Sequence, residues 1–262
     1  MKVDMGSDHI VQSATKVLRA LEILCASPVP VSLEQLAARL KISSATAYRT
    51  VNTLVCAGYA KENGRHGGYV ATLLVAELSA KVSRSFDFQS GIRASFRPVG
   101  MKFGETITIA KIDGDAAVYI DKIQAGASLV FFCDVGRRLP LHIGAAARCL
   151  LSYMTDEEFE FYLSRELEAR TSATVTDAEA LRRLRRDTLE HEFASSVDEV
   201  DIGVSAIAVP IFGPNGIPIA AAAIANTTSS WSESDRLERV AVMKAAAASV
   251  GSRSAASVGH VA

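Results

Sequence analysis

The chain has 262 residues and a formal net charge of −1, with 49% hydrophobic and 22% charged residues. It is long enough for two compact domains or one large domain, and this composition excludes a chain that is disordered throughout. No apolar run approaches the roughly 18–20 residues that a membrane-spanning helix needs, and the N-terminus has no signal-peptide pattern. We therefore expect a cytoplasmic protein with no membrane partner.

The four cysteines give no sign of a metal site or a disulfide framework. Cys25, Cys56, Cys133 and Cys149 lie far apart and form no C-x-x-C motif. Cysteines paired at short spacing are typical of zinc sites, and an even set in a small secreted domain is typical of disulfides. We expect reduced thiols and no bound metal.

The charge is unevenly distributed along the chain. Residues 1–85 hold 10 Lys and Arg against 6 Asp and Glu, whereas residues 86–262 hold 18 against 23. A small basic module joined to a larger acidic one suits a nucleic-acid reader attached to a part that does not touch phosphate. A net charge of four can also be an ordinary solvated surface.

A first helix is predicted over Val11–Ala26, and the two prolines that follow it end the helical pattern. Two short amphipathic helices come next, within Ser32–Gly58, with Ser32 as the N-cap of the first. Only three residues separate these helices, and Ser43 or Ser44 can cap the second. So short a turn predicts that the second helix directs one face away from the body of the domain.

The outward face of that second helix is predicted to carry small hydrogen-bonding side chains around one arginine. These residues are Ser44, Thr46, Arg49, Thr50 and Thr53. The major groove of DNA admits a single helix and is read by short polar groups and arginine, so this face fits a recognition helix. An ordinary helical hairpin with a solvated face would show the same pattern, and these residues alone do not separate the two interpretations.

A glycine-rich β-hairpin is predicted directly after these helices, from Tyr59 to Ala71. Three helices followed by a basic hairpin are the order of a winged helix-turn-helix domain, in which the wing lies along the phosphate backbone. The order favours binding to double-stranded DNA. The candidate contact residues lie on the second helix (Ser44, Ala45, Thr46, Tyr48, Arg49 and Thr50), on the approach to the hairpin tip (Lys61) and at the tip (Arg65 and His66).

The pattern after the hairpin is helical to about residue 103 and then mixed. Helices are predicted over Thr72–Phe86, the natural connector between two domains, and over Phe86–Phe103. Further strands are predicted over Thr106–Ile112, Ala116–Ile123, Leu129–Cys133, Val204–Phe212 and Ile217–Ala225, and helices over Gly144–Met154, Asp156–Glu168, Asp177–Phe193 and Ser232–Val250. This mixture predicts an α+β domain, an antiparallel sheet with helices on its faces, followed by a frayed tail from Gly251.

Four arginines cluster on the helix predicted over Asp177–Phe193: Arg182, Arg183, Arg185 and Arg186. Such a run can indicate contact with nucleic acid. Acidic residues follow it closely, and this half of the chain is acidic as a whole. We therefore interpret the run as a solvated helix face.

The sequence carries no signature of the common enzyme classes. It has no G-x-S-x-G, G-x-x-x-x-G-K-[ST], G-x-G-x-x-G or H-E-x-x-H motif. Of the five histidines, only His142 is predicted to lie at a pocket, where a lone histidine is more often a structural hydrogen-bonding residue than a catalyst. We expect no enzyme activity and no cofactor.

Segments in both halves of the chain carry a resemblance to a known family. They are Val11–Leu24, Ser32–Ala37, Ala45–Tyr59, Val135–His142 and Gly203–Phe212, in collinear order over nearly the whole chain. The set resembles the IclR family of bacterial transcriptional regulators. The resemblance implies a winged helix-turn-helix domain over residues 1–71, a linker helix over residues 72–86 and a GAF-like effector-binding domain over residues 87–255.

The resemblance also implies an effector pocket between the sheet and the helix that starts near Gly144. Its implied lining consists of Phe131, Leu139, Ala145, Ala146, Ser196, Val204, Ala206, Ala223 and Ala225. Family members that bind small carboxylates have polar groups at the positions of Ser196, Ala206, Ala223 and Ala225. An alanine-lined pocket cannot satisfy a buried carboxylate, because each unpaired polar group costs roughly 1–3 kcal/mol.

We therefore expect a larger or more apolar effector, such as an aromatic one, with a polar anchor from His142, Ser196 or Glu199. The alternative is that the alanines pack against each other and the pocket is vestigial.

The sequence as a whole predicts a transcriptional regulator that binds a palindromic operator as a homodimer or homotetramer. One winged domain would read each half-site, and a small-molecule effector would act through the helix over residues 72–86. The alternative from another class is a small-molecule sensor or enzyme whose N-terminal helical module docks on protein.

Overall fold

The computed structural model describes residues 10–64, 67–84, 88–124, 134–213 and 215–258. The chain divides between residues 87 and 88 into two compact units, and each unit is described by itself. The predicted wing residues Arg65 and His66, the predicted strand Leu129–Cys133 and the pocket residue Phe131 lie outside the described residues. No helix within these ranges is long and apolar enough to cross a lipid bilayer.

The first unit has the predicted order of three helices, a hairpin and a further helix. Its elements are α1 (Gln12–Ala26), α2 (Leu33–Leu40), α3 (Ser44–Cys56), β1 (Ala60–Glu62), β2 (Tyr69–Ala71) and α4 (Leu73–Arg84). Apolar side chains from all three leading helices and from β1 form one core, which includes Ala20, Leu24, Leu36, Val51, Leu54 and Ala60. This is a winged helix-turn-helix arrangement.

Side-chain caps fix where α2 and α3 begin. The Ser32 hydroxyl accepts a hydrogen bond from the Gln35 backbone N–H, and the Gln35 side chain accepts one from the Ser32 N–H, which completes a capping box. Of the two serines that could cap α3, Ser43 does so, because its hydroxyl accepts a hydrogen bond from the Thr46 N–H. Lys41, with φ 54°, ends α2 in the left-handed conformation and turns the chain into α3.

The hairpin is anchored to the segment before α2. Strands β1 and β2 pair antiparallel, with Ala60 opposite Ala71 and Glu62 opposite Tyr69. Val31 and Tyr69 exchange two backbone hydrogen bonds of 2.9 and 2.8 Å. The base of the wing is therefore held against the helical body.

The second unit is a six-stranded antiparallel sheet with helices on both faces, as the α+β prediction requires. Its strands are β3 (Ile107–Asp113), β4 (Ala116–Ile123), β5 (Arg138–Pro140), β6 (Ala194–Val197), β7 (Val204–Phe212) and β8 (Pro218–Thr227), in the spatial order β5-β4-β3-β8-β7-β6. Its helices are α5 (Phe88–Phe103), α6 (Ala145–Ser152), α7 (Asp156–Leu163), α8 (Ala178–His191) and α9 (Glu233–Val258).

The two faces of this sheet carry side chains of different size. Ala208 and Ala223 join the core that contains α6, α7 and α8, whereas Ile207, Val209 and Ile224 join the core that contains α5 and α9. Successive side chains of a strand point to opposite faces, so one sequence of alternating alanine and branched residues produces both surfaces. The small residues allow α6 to pack directly on β7 and β8.

Several boundaries differ from the sequence predictions. Strands β5 and β6 were not predicted, because they have only 3 and 4 residues, too few for an alternating pattern to be recognised in the sequence. Helix α7 ends at Leu163 rather than Glu168. Helix α9 continues to Val258 rather than fraying from Gly251, since the Ala- and Ser-rich segment after that glycine contains no helix-breaking proline.

Candidate DNA interface and effector cavity

Helix α3 has a buried face and an exposed face. Ala47, Val51 and Leu54 are buried in the core of the first unit. The opposite face exposes Ser44, Ala45, Tyr48, Arg49 and Thr53, and Thr46 is half-buried beside its cap. An arginine surrounded by short polar groups on an exposed helix is able to reach base edges or phosphates in a groove.

Thr50 does not belong to the exposed face, so the prediction that it lies on the outward face of α3 was wrong. Its side chain is only 6% exposed, and its hydroxyl donates a 2.8 Å hydrogen bond to the Thr46 carbonyl. Thr50 follows Ala47 by three residues and precedes Leu54 by four, the spacing that places it on the buried stripe of a helix.

Asn52, which was not among the predicted contact residues, lies on the exposed face of α3. Asn52 follows Arg49 by three residues, so the two side chains are neighbours on the helix surface. The same helical spacing could have identified it from the sequence. Its amide can both donate and accept hydrogen bonds, as base recognition requires.

Lys61 supplies an exposed positive charge on the hairpin. It lies on β1, opposite Val70 in the pairing register, at the approach to the tip. In the described part of the first unit, the predicted basic side chains therefore occupy two exposed places, Arg49 on α3 and Lys61 on the wing.

The second unit contains a cavity of about 60 Å³ between its sheet and the first turn of α6. This volume is several times the roughly 10–15 Å³ that one water molecule needs. Eight residues of the implied pocket line the cavity: Leu139, Ala145, Ala146, Ser196, Val204, Ala206, Ala223 and Ala225. The described residues thus contain a cavity where the resemblance implied one.

Six further residues that were not predicted also line the cavity: Thr106, Thr108, Tyr119, Arg137, Val200 and Asp201. One of them had a signal in the sequence: Arg137 precedes Leu139 by two residues, the repeat of side chains on one face of a strand. Thr108 lies opposite Ala223 in the strand register, which only the structure shows. Val200 and Asp201 lie in the irregular loop between β6 and β7, where no periodicity identifies them.

The hydroxyl of Ser196 is the predicted anchor that reaches the cavity. Its oxygen accepts a 3.1 Å hydrogen bond from the Ala145 backbone N–H at the start of α6. Because the oxygen acts as the acceptor in that bond, the hydroxyl proton can be donated to a ligand.

His142 was proposed as an anchor, but it does not line this cavity. It is 1% exposed, with Nδ1 2.8 Å from the Tyr162 hydroxyl and Nε2 3.0 Å from the Glu168 carbonyl oxygen. A carbonyl only accepts, so Nε2 carries the proton and Nδ1 accepts from Tyr162. Burial lowers the pKa of His142 below its usual value, and the ring is a neutral structural hydrogen-bonding group.

Glu199, the third proposed anchor, is also not among the lining residues. Its carboxylate forms an ion pair with Arg148 inside the protein, where the two side chains are 6% and 3% exposed. It also accepts a 3.4 Å hydrogen bond from the Gly144 N–H. Glu199 therefore holds the start of α6 in place.

The arginine cluster on α8 is only partly solvated. Arg182 forms ion pairs with Glu160 and Glu179. Arg185 donates hydrogen bonds to the carbonyl oxygens of Ser152 and Met154, near the end of α6. These two arginines are packing elements of the second unit, because Arg182 reaches Glu160 on α7 and Arg185 reaches the end of α6. Arg183 and Arg186 are exposed.

The polar groups of the described residues do not form a metal site. No cluster of three or more His, Cys, Asp or Glu side chains suitable for a metal occurs in these ranges. The cavity wall instead combines apolar surface, hydroxyl groups and the charged side chains of Arg137 and Asp201.

Comparison with known proteins identifies both units. Residues 13–64 match the IclR helix-turn-helix domain, and residues 81–252 match the C-terminal domain of bacterial IclR transcriptional regulators. The HTH-type transcriptional regulator KdgR of Escherichia coli (strain K12) is 30% identical over 244 residues, which cover 92% of this chain and 93% of KdgR.

Solved structures agree with the fold. The Thermotoga maritima IclR structure is 26% identical in sequence and gives a TM-score of 0.77. The match covers 92% of this chain and 98% of the Thermotoga maritima chain. An IclR homolog from Microbacterium hydrocarbonoxydans, complexed with 4-hydroxybenzoate, is 23% identical with the same coverage of the two chains and gives a TM-score of 0.80, a likeness of fold alone. The chain belongs to the IclR family of bacterial transcriptional regulators, with a helix-turn-helix domain and a C-terminal effector-binding domain.

Proposed function

We propose that this regulator binds a palindromic operator as a homodimer or homotetramer and is controlled by a small, rather apolar or aromatic metabolite. The observation that carries the DNA part is the exposed face of α3, where Arg49 stands among short polar side chains on a winged domain. A palindromic site suits a symmetric oligomer, because each half-site then meets an identical helix.

The basic residues of the first unit have separate roles in this proposal. Arg49 contacts a base edge or a phosphate in the major groove, with Ser44, Thr46 and Asn52 beside it. Lys61 acts on the phosphate backbone, since a strand residue of the wing lies outside the groove. We assign Arg65 and His66, at the tip of the predicted hairpin, the same backbone role.

The effector part rests on the cavity beneath α6. Its wall is largely alanine, leucine and valine, and Ser196 offers a hydroxyl proton to a ligand. The 4-hydroxybenzoate in the Microbacterium hydrocarbonoxydans homolog is an aromatic ligand of this fold. We propose that effector binding acts on DNA affinity through α4, the element that joins the winged domain to the following residues, by binding two arrangements unequally.

We also propose that the chain is not an enzyme. The two titratable side chains that were predicted as polar anchors are occupied in structural roles: Glu199 by Arg148, and His142 by Tyr162 and Glu168. Neither is placed as a general base toward the cavity, and the curated relatives are transcriptional regulators.

A gel-shift assay with the DNA upstream of the chain's own coding region tests the proposal. Wild-type protein should retard a fragment that contains an inverted repeat, and Arg49→Ala should lose about 1–3 kcal/mol on that fragment if Arg49 reads a base. Lys61→Ala should weaken binding to all sequences and flatten the salt dependence. Arg183→Ala, an exposed arginine on α8, is the matched control and should change neither.

Two results would count against this scheme. Failure of the wild-type protein to retard any upstream fragment would remove the DNA-binding proposal and favour docking on protein. An equal loss on operator and random DNA for Arg49→Ala would assign that residue to phosphate.

A further inference from the structure

The cavity wall of the second unit contains one guanidinium group facing one carboxylate. Arg137 Nη2 lies 3.3 Å from Asp201 Oδ2, and both residues line the cavity. The Arg137 side chain is 19% exposed, so it has lost most of its contact with water, whereas that of Asp201 is 46% exposed. An anionic partner stabilises a guanidinium that is withdrawn from solvent in this way.

Asp201 is shared between two arginines. Its second oxygen, Oδ1, lies 3.5 Å from Arg170 Nη2. Charge-assisted N–H···O hydrogen bonds normally measure about 2.7–2.9 Å, so both contacts are long. Asp201 can therefore give up Arg137 while it keeps Arg170 and its contact with solvent.

The backbones that carry the pair are held in place. The Arg137 carbonyl accepts a 2.9 Å hydrogen bond from the Tyr119 N–H on β4. On the other side, Thr171 Oγ1 donates to the Asp198 carbonyl at 2.7 Å, and Arg170 Nε donates to the Val200 carbonyl at 2.7 Å. Only side chains need to move for Arg137 to exchange partners.

We propose that Arg137 is the residue that recognises the effector, by pairing with a carboxylate on it, and that Asp201 competes for the same guanidinium. The planar fork of arginine matches a carboxylate with two parallel hydrogen bonds. Hydroxyl groups of Thr106, Thr108 and Ser196 lie on the same cavity wall and can donate to the remaining oxygen positions. The effector class is therefore a monocarboxylate with an apolar body.

This inference rests on the proposed effector function and makes it more specific. It also corrects the premise that the pocket cannot satisfy a carboxylate. That premise considered the alanines at 206, 223 and 225, but the same wall includes Arg137 and four hydroxyl-bearing side chains, of Thr106, Thr108, Tyr119 and Ser196.

Calorimetric titration of the full chain with matched acids and amides tests the inference. The probes are benzoate with benzamide, phenylacetate with phenylacetamide, and hexanoate with hexanamide. At least one acid should bind, its amide should bind more weakly, and Arg137→Gln should lower the affinity for the acid about 10- to 100-fold without changing that for the amide. Asp201→Asn should raise the affinity for the acid, because the competing charge is gone.

The control variant is Arg138→Gln, which should leave both affinities unchanged. Arg138 is the next residue, but its Nη2 donates to the Asp113 backbone carbonyl at 2.8 Å and it is not among the residues that line the cavity. Circular dichroism should show that all three variants are folded, and gel shifts should show that they retain operator binding. Such gel shifts separate this inference from the DNA-binding proposal.

Three outcomes would overturn the inference: no acid binds, an amide binds as tightly as its acid, or Arg137→Gln leaves the affinity for the acid unchanged. Weaker binding of the acid by Asp201→Asn would also contradict it, since that would make Asp201 part of the binding site.

Discussion

Arg148 and Glu199 form an ion pair that is buried on both sides and joins the start of α6 to the edge of the sheet. Arg148 Nη2 lies 2.9 Å from Glu199 Oε1, and the same guanidinium donates to the Ser195 carbonyl on β6. Glu199 in turn accepts from the Gly144 N–H. The first turn of α6, which forms one wall of the cavity, is thus held by two charges that solvent does not reach.

Removing one member of this pair should destabilise the second unit strongly. Arg148→Met leaves the Glu199 carboxylate buried without its partner, and we expect a loss of about 3–5 kcal/mol in the free energy of unfolding. Trp231, the single tryptophan of the chain, is buried in this unit, so its fluorescence during urea unfolding reports on this unit. The double variant Arg148→Met/Glu199→Met should recover much of the loss, because no unpaired charge remains.

The matched control for this prediction is an exposed ion pair in the same unit. Arg165 Nη1 lies 3.2 Å from Asp115 Oδ2, and both side chains are substantially exposed. Arg165→Met should cost less than about 1 kcal/mol. If Arg148→Met lowers the free energy of unfolding no more than Arg165→Met does, burial does not make the loss of a charged partner more costly at Arg148.

Gly144 should tolerate no side chain. Its φ is +87°, and a Cβ built there would lie 2.6 Å from Val200 Cγ2 on the cavity wall. We expect Gly144→Ala to cost about 2–4 kcal/mol, because the left-handed backbone strain and the overpacking add. Trp231 fluorescence during unfolding measures this cost, and displacement of Val200 should also alter effector affinity.

A helical glycine in the same unit is the control. A Cβ at Gly91, in α5, would meet no atom of the described residues within 4 Å. Gly91→Ala should be neutral or stabilise by up to about 1 kcal/mol, since alanine favours the helix. Equal destabilisation by the two substitutions would contradict the specific role of Gly144.

Periodicity predicted most of the fold because burial repeats regularly along these elements. Strand β7 was predicted with its observed bounds, Val204–Phe212, because branched residues alternate with smaller ones along it. The cap Ser32 was predicted, and the cap of α3 was narrowed to Ser43 or Ser44, because an N-cap is a local interaction within four residues. Elements without such local information, such as the short strands β5 and β6, were missed.

The sites were less predictable because they depend on contacts between distant residues. Thr50 was assigned to the wrong face, since a threonine on a short helix is compatible with burial or exposure until the core is known. Asp201 could not be found, because its importance comes from Arg137, which is 64 residues away in the chain. The polar composition of the cavity depends on residues that are distant in sequence and meet only in the folded protein, so no single segment reveals it.

His142 should make the stability of the second unit depend on pH. Burial lowers the pKa of His142 in the folded protein, whereas the unfolded chain binds a proton near the ordinary value of 6.5. Between these values the unfolded state binds more protons, so stability is fully present above about pH 6.5 and is lost as the pH falls toward the folded pKa. His142→Gln should remove this contribution to the pH dependence.

The measurement is urea unfolding followed by Trp231 fluorescence at a series of pH values from 7.5 down to about 5, where carboxylates begin to contribute. His142→Gln also loses hydrogen bonds to Tyr162 and Glu168, which lowers stability at every pH. The slope of the free energy of unfolding against pH, and not its absolute value, therefore reports on the titration of His142. Parallel curves for the two proteins would show that His142 does not titrate differently on folding.

The two neighbouring residues Arg49 and Thr50 should respond differently to mutation in operator binding. Thr50→Val keeps the shape of the buried side chain and removes a hydroxyl that bonds only the Thr46 carbonyl in the described structure, so affinity should stay within about twofold of wild type. Thr53→Val, which removes an exposed hydroxyl from the outward face of α3, is the comparison. Fluorescence anisotropy with a labelled operator, at fixed salt, measures all three variants. Loss of operator affinity by a folded Thr50→Val protein, with Arg49→Ala unaffected, would require the opposite face of α3 to meet the DNA.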